Sequence, residues 1–331
     1  MSMSSGAFAP LLKYNPAKSL ESIARAIQEQ VTVVLKRRGA VVAVSGGIDS
    51  SVCLALCARA LGPAHTFALA LPDRHSSPES ARLAGALTTA LSVRSLTVNI
   101  DPVLDAAGTY RSQLEAIRLV YREATEQWSY KIVMPSILET ERLNLPRLVV
   151  RTPGGEERSE RMSAPAYLQL VAATNFKQRT RTMTAYYHAD RLNYAVCGTP
   201  NRLEYDQGFF VKGGDGLADF KPIAHLYKTQ VFALARALGV PEEIIERTPT
   251  TDTFSLPQTQ EEFYFSVPYQ TMDICLFALN NGISTVETAK ASGLTVDQVS
   301  RVWDDIRAKR RTTRPLHLMG LMAERVDLEA M

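Results

Sequence analysis

Short apolar runs that alternate with helical segments constrain the fold of this chain more than any other feature of its sequence. Residues 40–44, 65–71 and 94–100 have strand character, and residues 191–199 form a further run of the same kind. Parallel strands need a crossover between them, and consecutive strand–helix–strand units place helices on both faces of one sheet. The sequence therefore predicts an α/β fold in which a parallel sheet is flanked by helices.

The segments around these runs carry helix signals. Apolar side chains recur at helical spacing through residues 18–37, which predicts a helix there. Residues 52–61 predict a second helix that Gly62 would end. Ser77 followed by Pro78 is typical of a helix start, because the serine can cap the helix and proline suits its first turn.

The alternation stops in the middle of the chain. Residues 128–165 contain prolines, a Gly-Gly pair and mixed charge, so we interpret them as an insertion or lid, with 152–163 as its candidate for disorder. A helix resumes at residue 166, and the region of about 266–316 is predicted to be helical. We expect residues 1–331 to form a single domain.

Composition and charge narrow the class of protein. The chain has 331 residues, of which 46% are apolar, enough to bury a large core. A formal net charge of +3 predicts no polyanionic partner such as nucleic acid. The sequence has neither a signal peptide nor an apolar run of the about 18 residues that a membrane helix needs. The cysteines lie in apolar contexts without a CxxC pair and predict reduced core thiols in a cytoplasmic protein; they are Cys53, Cys57, Cys197 and Cys275.

The first strand leads into a loop rich in glycine and serine, residues 45–51, which read SGGIDSS. Ligands bind at the carboxyl ends of parallel strands, and glycines let a phosphate approach the backbone N–H groups at the start of the next helix. Ser45, Ser50 and Ser51 can add hydroxyl donors, and Asp49 within a phosphate loop implies a bridging cation such as Mg²⁺. The loop lacks the lysine of the GxxxxGK[ST] phosphate loop. The alternative is an ordinary glycine-rich turn capped by Asp49 or Ser50.

This loop resembles the SGGxDS pyrophosphate-binding loop of the N-type ATP pyrophosphatases, which have an adenine nucleotide alpha hydrolase-like fold. Residues 198–222, GTPNRLEYDQGFFVKGGDGLADFKP, resemble the pattern of one family in that group, the NAD synthetases. The resemblance covers about 18–100 and 166–316 and leaves out the segment near 110–165. Shorter likenesses lie at 175–183, 225–231, 248–252, 260–273 and 308–315.

The resemblance implies ATP as co-substrate, Mg²⁺ as metal, and a role for individual residues. Asp49 and Glu204 would share the Mg²⁺, and Asp49, Lys228 and Thr250 would be catalytic. The implied contacts to ATP and pyrophosphate are Ser45, Gly46, Gly47, Asp49, Ser50, Ser51, Arg179, Thr199, Lys228 and Thr250. The implied contacts to the acid substrate are Lys212, Asp215, Asp219 and Lys309.

Without the resemblance, several of these residues have plainer interpretations. Glu204 reads as an exposed helix glutamate, the glycine-rich residues 212–216 as a hydrated loop, and Lys309 as a solvated helix end. Arg179 and Arg181 are two apart on one helix and therefore face different ways, so we expect one to serve the nucleotide and the other the structure.

In that family, the carboxylate of nicotinic acid adenine dinucleotide is adenylated with release of pyrophosphate, and ammonia then displaces AMP to give NAD. No covalent nucleophile is needed, which agrees with the lack of a Ser-His-Asp or Cys-His signal. Residues 1–44 before the loop are too few for a glutaminase domain, so we expect the use of free ammonia or of ammonia from a separate glutaminase. The resemblance also implies a homodimer.

Two alternatives stay open at this point. Gly213 and Leu217 stand where the family has tyrosine and glycine, and 128–165 precedes the helix that carries Arg179, so the chain could amidate a different carboxylate. A protein of another class is the second alternative. Residues 284–311 predict two short capped helices with a basic end, which resembles a helix-turn-helix DNA reader, although the mild net charge argues against this.

Overall fold

The computed structural model describes residues 6–134, 146–248, 250, 253–265 and 267–324. The strands in these residues are β1 (Ala40–Ala43), β2 (Thr66–Ala70), β3 (Arg94–Thr97), β4 (Ser129–Val133), β5 (Arg147–Arg151), β6 (Glu157–Arg161) and β7 (Ala195–Cys197). The α-helices are α1 (Ala9–Leu12), α2 (Pro16–Gln28), α3 (Ile48–Leu61), α4 (Pro78–Ala90), α5 (Asp101–Ala106), α6 (Thr109–Arg118), α7 (Ala164–Leu192), α8 (Arg202–Gln207), α9 (Lys228–Ala237), α10 (Glu242–Ile245), α11 (Tyr269–Asn280), α12 (Thr285–Ser292) and α13 (Val296–His317). Turns of π-helix at Glu29–Val34 and Glu261–Phe265 follow α2 and precede α11, and short 3-10 helices lie at Gly6–Phe8 and Pro63–His65.

The main sheet consists of four parallel strands in the order β3-β2-β1-β7. All of them fall within the runs predicted as strands. The run at 191–199 was predicted too long, because α7 continues through Leu192 and ends at Asn193. Asn193 has a left-handed φ of 55°, a conformation that asparagine tolerates better than most residues.

Helices cover both faces of this sheet, which confirms the predicted α/β class. On one face, α2, α3 and α9 share a buried apolar cluster that includes Ile27, Val52 and Val231. On the other face, α5 and α7 contribute Leu104 and Ala185 to a second cluster. The apolar strands β1, β2 and β7 are therefore buried on both sides, whereas the edge strand β3 is exposed along its length.

The strand order places the carboxyl ends of β1 and β7 side by side, with Val42 paired to Cys197. From β1 the chain proceeds to β2 and β3 on one side of the sheet, whereas β7 lies on the other side. Such a reversal leaves a crevice at the strand ends in which parallel α/β proteins bind ligands. The loop after β1 carries Asp49, and the segment after β7 leads to Glu204.

The predicted helix boundaries hold with local differences. The helix predicted at 52–61 begins at Ile48, because Gly47 is extended and already caps it, and it ends at Gly62 as expected. The Ser77 hydroxyl accepts from the Glu79 N–H at 3.2 Å and caps α4. The helix predicted at 18–37 is α-helical only to Gln28 and then continues as a π-helical turn.

The insertion contains a second sheet, which is antiparallel and has the order β4-β5-β6. Every second residue of β4 and β5 is buried. Tyr130, Ile132, Leu148 and Val150 from these strands share an apolar cluster with Leu170 of α7. The sheet is thus fastened to the long helix by its own small core.

The prediction of disorder at 152–163 is wrong. Residues 152–156 form a tight turn in which Thr152 N–H donates to Glu156 O at 3.0 Å, and β6 follows. Its sequence, ERSER, is polar on both faces, and so an edge strand of this kind gives no apolar alternation from which it could be predicted. Residues 135–145 of the insertion lie outside the described residues, and the predicted single-domain organisation stays a prediction.

The C-terminal region is helical as predicted. Trp303 of α13 is buried against α11, where its indole N–H donates to Cys275 O at 2.9 Å. Ser284 and Thr295 cap α12 and α13. All four cysteines are buried and free of disulfides. Within the described residues, no helix combines the length and the apolar character that crossing a membrane requires.

Candidate active site

The loop after β1 makes a close turn that only glycine fits at residue 46. Gly46 has a φ of 71°, and a Cβ there would lie 2.6 Å from Ser80 O. Within the loop, Ser50 Oγ donates to Gly47 O at 3.0 Å and accepts from Ser45 N–H at 3.3 Å. The loop is therefore fixed from inside, and it presents the N-terminus of α3, where the helix dipole favours an anion.

The segment after β7 is organised by a reciprocal cap at the start of α8. The Asn201 side chain accepts from the Leu203 and Glu204 N–H groups at 2.9 and 3.2 Å, and Glu204 Oε2 accepts from Asn201 N–H at 3.1 Å. Asn201 Nδ2 also donates to Asp49 Oδ1 at 3.0 Å. One asparagine thus links the ends of β1 and β7 and aligns both predicted metal ligands.

Lys228 completes this cluster from the start of α9. Its side chain is fully buried, and its ammonium forms an ion pair with Asp49, whose side chain is 14% exposed. The Asp273 carboxylate caps α9 by accepting from the Lys228 and Thr229 N–H groups at 3.1 and 2.7 Å. Asp273 therefore fixes the backbone from which Lys228 reaches the loop.

The electrostatics of the cluster favour a bound cation. Burial and the neighbouring charge of Asp49 raise the pKa of Glu204 to about 8, which means that the ionised pair is unfavourable without further positive charge. Within the described ranges, no three His, Cys, Asp or Glu side chains converge to hold a metal by themselves. Two carboxylates together with phosphate oxygens are, however, a usual set of ligands for Mg²⁺, so these residues fit that ion.

A cavity of about 620 Å³ opens at these strand ends. One side is polar and is lined by the glycine-rich loop and the segment after β7. The other side is apolar and aromatic, with Tyr167, Val171, Phe254, Phe263 and Tyr264. The predicted residues that line the cavity are Ser45, Gly47, Asp49, Ser50, Thr199, Glu204, Asp215, Thr250 and Lys309.

Among the predicted basic residues, the structure separates Arg179 from Arg181 as expected. Arg181 lines the cavity and donates to Leu71 O at 3.0 Å and to Asp73 at 2.7 Å. Arg179 is exposed and donates to Lys212 O at 3.2 Å. The predicted role of Arg179 at ATP stays a prediction, whereas Arg181 is the one of the two that faces the cavity.

The predicted contacts to the acid substrate lie in two groups. Asp215 and Lys309 line the cavity, and burial lowers the pKa of Lys309. Lys212 Nζ donates instead to Leu318 O at 2.8 Å, just past α13. Asp219 accepts from Val196 N–H at 2.7 Å and so fastens its loop to β7.

Sequence reasoning missed Asn201 and Asp273. Asn201 lies three residues before Glu204, which is the spacing of a capping box, so this signal was available. Asp273 follows Lys228 by 45 residues, and no local pattern connects them. Gly46 and Ser51 belong to the loop without lining the cavity, because Gly46 makes the turn and the buried Ser51 Oγ donates to Gly47 O at 2.9 Å.

A parallel sheet with an SGGxDS loop and paired carboxylates at its switch point defines an enzyme class, the N-type ATP pyrophosphatases, with the adenine nucleotide alpha hydrolase-like fold. The sequence profile of the NAD synthase family matches residues 19–126 and 150–314. The chain belongs to that family. The expectation that the segment near 110–165 falls outside the resemblance is wrong at both of its ends, since the unmatched part is 127–149.

Curated relatives agree with this assignment. The chain is 52% identical to the NH(3)-dependent NAD(+) synthetase of Rhizobium rhizogenes over 326 residues, which cover 98% of both chains. It is 36% identical to the protein of the same name from Thermotoga maritima over 263 residues, 78% of this chain and 86% of the relative.

Solved structures show the same fold at low sequence identity. An NH3-dependent NAD synthetase from Campylobacter jejuni, solved with a nitrate ion, is 22% identical with a TM-score of 0.61 and covers 94% of this chain and all of its own. An NMN synthetase from Francisella tularensis is 23% identical with a TM-score of 0.62, covering 93% of this chain and 98% of its own.

Proposed function

We propose that this protein is an ammonia-dependent ligase that converts nicotinic acid adenine dinucleotide into NAD. The observation that carries the proposal is the cluster of Asp49, Glu204 and Lys228, which lies beside the glycine-rich loop at the carboxyl ends of β1 and β7. The names of relatives at 52% identity over nearly the whole chain support the choice of substrate and nitrogen donor.

The chemistry has two balanced steps. An oxygen of the carboxylate attacks the α-phosphorus of ATP, and the bond to the β-phosphate breaks, so that an acyl-adenylate and pyrophosphate form. Ammonia then attacks the acyl carbon, loses a proton, and displaces AMP to leave the amide. The α3 N-terminus and the Thr250 hydroxyl stabilise the charge that builds up on the departing pyrophosphate, and the buried Lys228 ammonium adds to this through its ion pair with Asp49.

Asp49 and Glu204 would hold Mg²⁺, which neutralises phosphate charge when it is bound. The residues of the chain itself bind and orient the substrates and exclude water from them. Asn201 keeps the Asp49 carboxylate turned toward the cavity through its bond at 3.0 Å. The aromatic side of the cavity keeps bulk water from the acyl-adenylate, which gives ammonia the advantage over hydrolysis.

For the acid end of the substrate, we propose Asp215 and Lys309 as direct contacts, because both line the cavity. Lys212 and Asp219 do not line the cavity and bind groups of their own chain, and we propose that they shape the 209–219 loop. The contact of Arg179 with ATP remains a proposal, since its guanidinium is exposed and donates to Lys212 O at 3.2 Å.

The two alternatives left open by the sequence are not favoured. The alignments at 52% identity cover 95% to 98% of the chain and so include most of the insertion, which therefore does not set this chain apart from relatives named NAD synthetases. Residues 284–311 lie within the part matched by the family profile, and α12 and α13 pack on α11 rather than standing free as a DNA reader.

The test is a pyrophosphate-release assay with ATP, Mg²⁺ and ammonium. We expect stoichiometric NAD, AMP and pyrophosphate from nicotinic acid adenine dinucleotide, with a kcat/KM at least about a hundredfold above that for nicotinic acid mononucleotide. The mononucleotide is the informative competitor because a structural neighbour is an NMN synthetase. Turnover of another acid in preference to the dinucleotide would keep the chemistry and overturn the substrate.

The nitrogen source is tested in the same assay. Ammonium alone should support full turnover, and added glutamine should not replace it. Turnover that requires a separate glutaminase would point to a partner that supplies ammonia. The four buried free thiols support a cytoplasmic location as part of this proposal, since cytosolic thiols stay reduced.

A homodimer through α7 is the proposed assembly. Arg179, Met183 and Tyr187 recur every four residues on one stripe of this helix, and Met183 and Tyr187 are 57% and 65% exposed. We expect a dimer in light scattering after size-exclusion chromatography, and a monomer for Met183→Lys with Tyr187→Lys. Val33→Lys, at a residue of the same exposure (65%) outside α7, is the control. A monomeric wild type at tens of micromolar would contradict the proposal.

A further inference from the structure

The outer edge of β4 is occupied by another segment of the chain. β4 pairs with β5 along one edge. At the other edge, Tyr130 N–H donates to Ser255 Oγ at 2.8 Å, and Leu256 N–H donates to Tyr130 O at 3.1 Å. Gln258 Nε2 donates to Ile132 O, further along the same edge. Residues 253–258, the docked segment, thus follow the strand as an added partner would.

Side-chain packing fixes the same segment to the second sheet. Phe254 is 4% exposed and belongs to the apolar cluster of that sheet. Its ring lies 5.9 Å from that of Tyr130 and 5.5 Å from that of Phe263, both in edge-on contacts. An aromatic anchor of this kind adds to the hydrogen bonds at the strand edge.

A buried lysine of α7 holds the start of the docked segment. The Lys177 side chain is 1% exposed, and its ammonium donates to Thr253 O at 3.0 Å and to Asp73 at 2.9 Å. Asp73 also accepts from Arg181 at 2.7 Å. The segment is therefore held from two directions, by the edge of β4 and by an ion cluster at the end of β2.

The docked segment connects directly to the cavity. Thr250 and Thr259 form an isolated antiparallel bridge that closes the chain around it. Thr250, Thr253 and Phe254 line the cavity, as do Ile132 and Met134 from the β4 side. The position of Thr250 is thus set by where the docked segment lies.

We propose that β4 is a docking strand that holds residues 253–258 in place before substrate binds and so positions Thr250 for the ATP phosphates. The choice of phosphates as the target rests on the proposed function; the docking itself does not. β4 lies in 127–149, the segment between the two parts of the chain that the family profile matches, so the docking strand belongs to the insertion. Ordering the segment in advance lowers the cost of binding ATP.

Ser255→Ala, alone and combined with Gln258→Leu, tests the proposal, and Ser159→Ala is the matched control. Ser159 lies on the far strand of the same sheet, where its Oγ also accepts a hydrogen bond, from the Arg147 side chain at 2.9 Å. In the ligand-free protein, amide hydrogen exchange across 253–260 should become about tenfold faster in the double variant and about twofold to tenfold faster in Ser255→Ala. Ser159→Ala should leave it unchanged.

The kinetic readout separates positioning from loss of fold. If the segment is docked in only a fraction of the molecules, the apparent affinity for ATP falls to that fraction of the affinity of the fully docked protein. KM for ATP should therefore rise about twofold to tenfold in Ser255→Ala while kcat at saturating ATP is retained, and Ser255→Thr, which keeps the hydroxyl, should restore both readouts.

Unchanged exchange at 253–260 in the double variant would overturn the docking, and so would an equal effect of Ser159→Ala. Faster exchange without a change in KM for ATP would overturn the positioning of Thr250. Hydrogen exchange needs no turnover, so a chain that fails to amidate the dinucleotide but shows the exchange difference would refute the proposed function and leave the docking strand standing.

Discussion

Replacing Glu204 with glutamine should lower pyrophosphate release by at least about a hundredfold and leave the ligand-free fold intact. Glutamine keeps the side-chain oxygen that accepts from Asn201 N–H at 3.1 Å, and the capping box accepts either residue. What is lost is one of the two negative charges that fit a metal ion, together with the Oε1 acceptor of the bond from Gln260 Nε2 at 3.2 Å. The measurement is kcat for pyrophosphate release across a Mg²⁺ titration.

The pKa of Glu204 also predicts at which pH the same variant is more stable than the wild type. Burial and the charge of Asp49 raise the pKa of Glu204 in the folded chain to about 8. A carboxyl whose pKa is raised by folding destabilises the folded state once the pH exceeds its ordinary value, and the penalty grows until the folded pKa is passed. Glutamine cannot ionise, so the free energy of unfolding of Glu204→Gln should equal that of the wild type at pH 4 and exceed it at pH 8, without ligands.

The control is Glu243→Gln, which makes the same chemical change in an exposed ion pair with Arg82. Exposed pairs of this kind contribute little, so turnover and stability should both stay near wild type. Wild-type pyrophosphate release by Glu204→Gln would remove the residue from the metal site.

Most of the main sheet was predictable because β1, β2 and β7 are buried apolar runs, and the exposed edge strand β3 continues the same alternation of strand and helix signals. The second sheet was not. β5, with the sequence RLVVR, buries every second residue, but the prolines and glycines around it are equally typical of a loop. β6 is polar on both faces, and only its hydrogen bonds to β5 make it a strand.

The candidate site likewise contains residues whose roles the sequence predicts and residues whose contacts it does not predict. Asp49 follows a strand end, and a short motif predicts its role. Which of Arg179 and Arg181 faces the cavity depends on how α7 is rotated, since two residues turn a helix by about 200°, and local sequence does not fix that rotation. The cap on α9 joins Asp273 to Lys228 across 45 residues, a contact that only the packing of two helices creates.

Replacing Lys228 with methionine should reduce turnover by about a hundredfold to a thousandfold. Methionine keeps the aliphatic packing beneath Tyr269, whose ring lies 5.3 Å from the ammonium, and removes only the charge. Asp49 then loses its ion pair but keeps the bond from Asn201 at 3.0 Å. Because the Asp49 side chain is 14% exposed, we expect an unfolding free energy lower by only about 1–3 kcal/mol.

Lys221→Met is the matched control, since Lys221 is half-buried with its ammonium 5.2 Å from the centre of an aromatic ring, that of Tyr205, and it lies outside the cluster of Asp49, Glu204 and Lys228. Its turnover should remain near wild type. Lys228→Arg should not rescue the loss, because a larger, forked cation does not fit a fully buried site. If Lys228→Met kept more than about a tenth of wild-type turnover, the proposed stabilisation of pyrophosphate by this ammonium would be wrong.

Since Lys228 and Glu204 act on the same leaving group through Asp49, their effects should not add, and the double variant should be about as slow as the slower single variant.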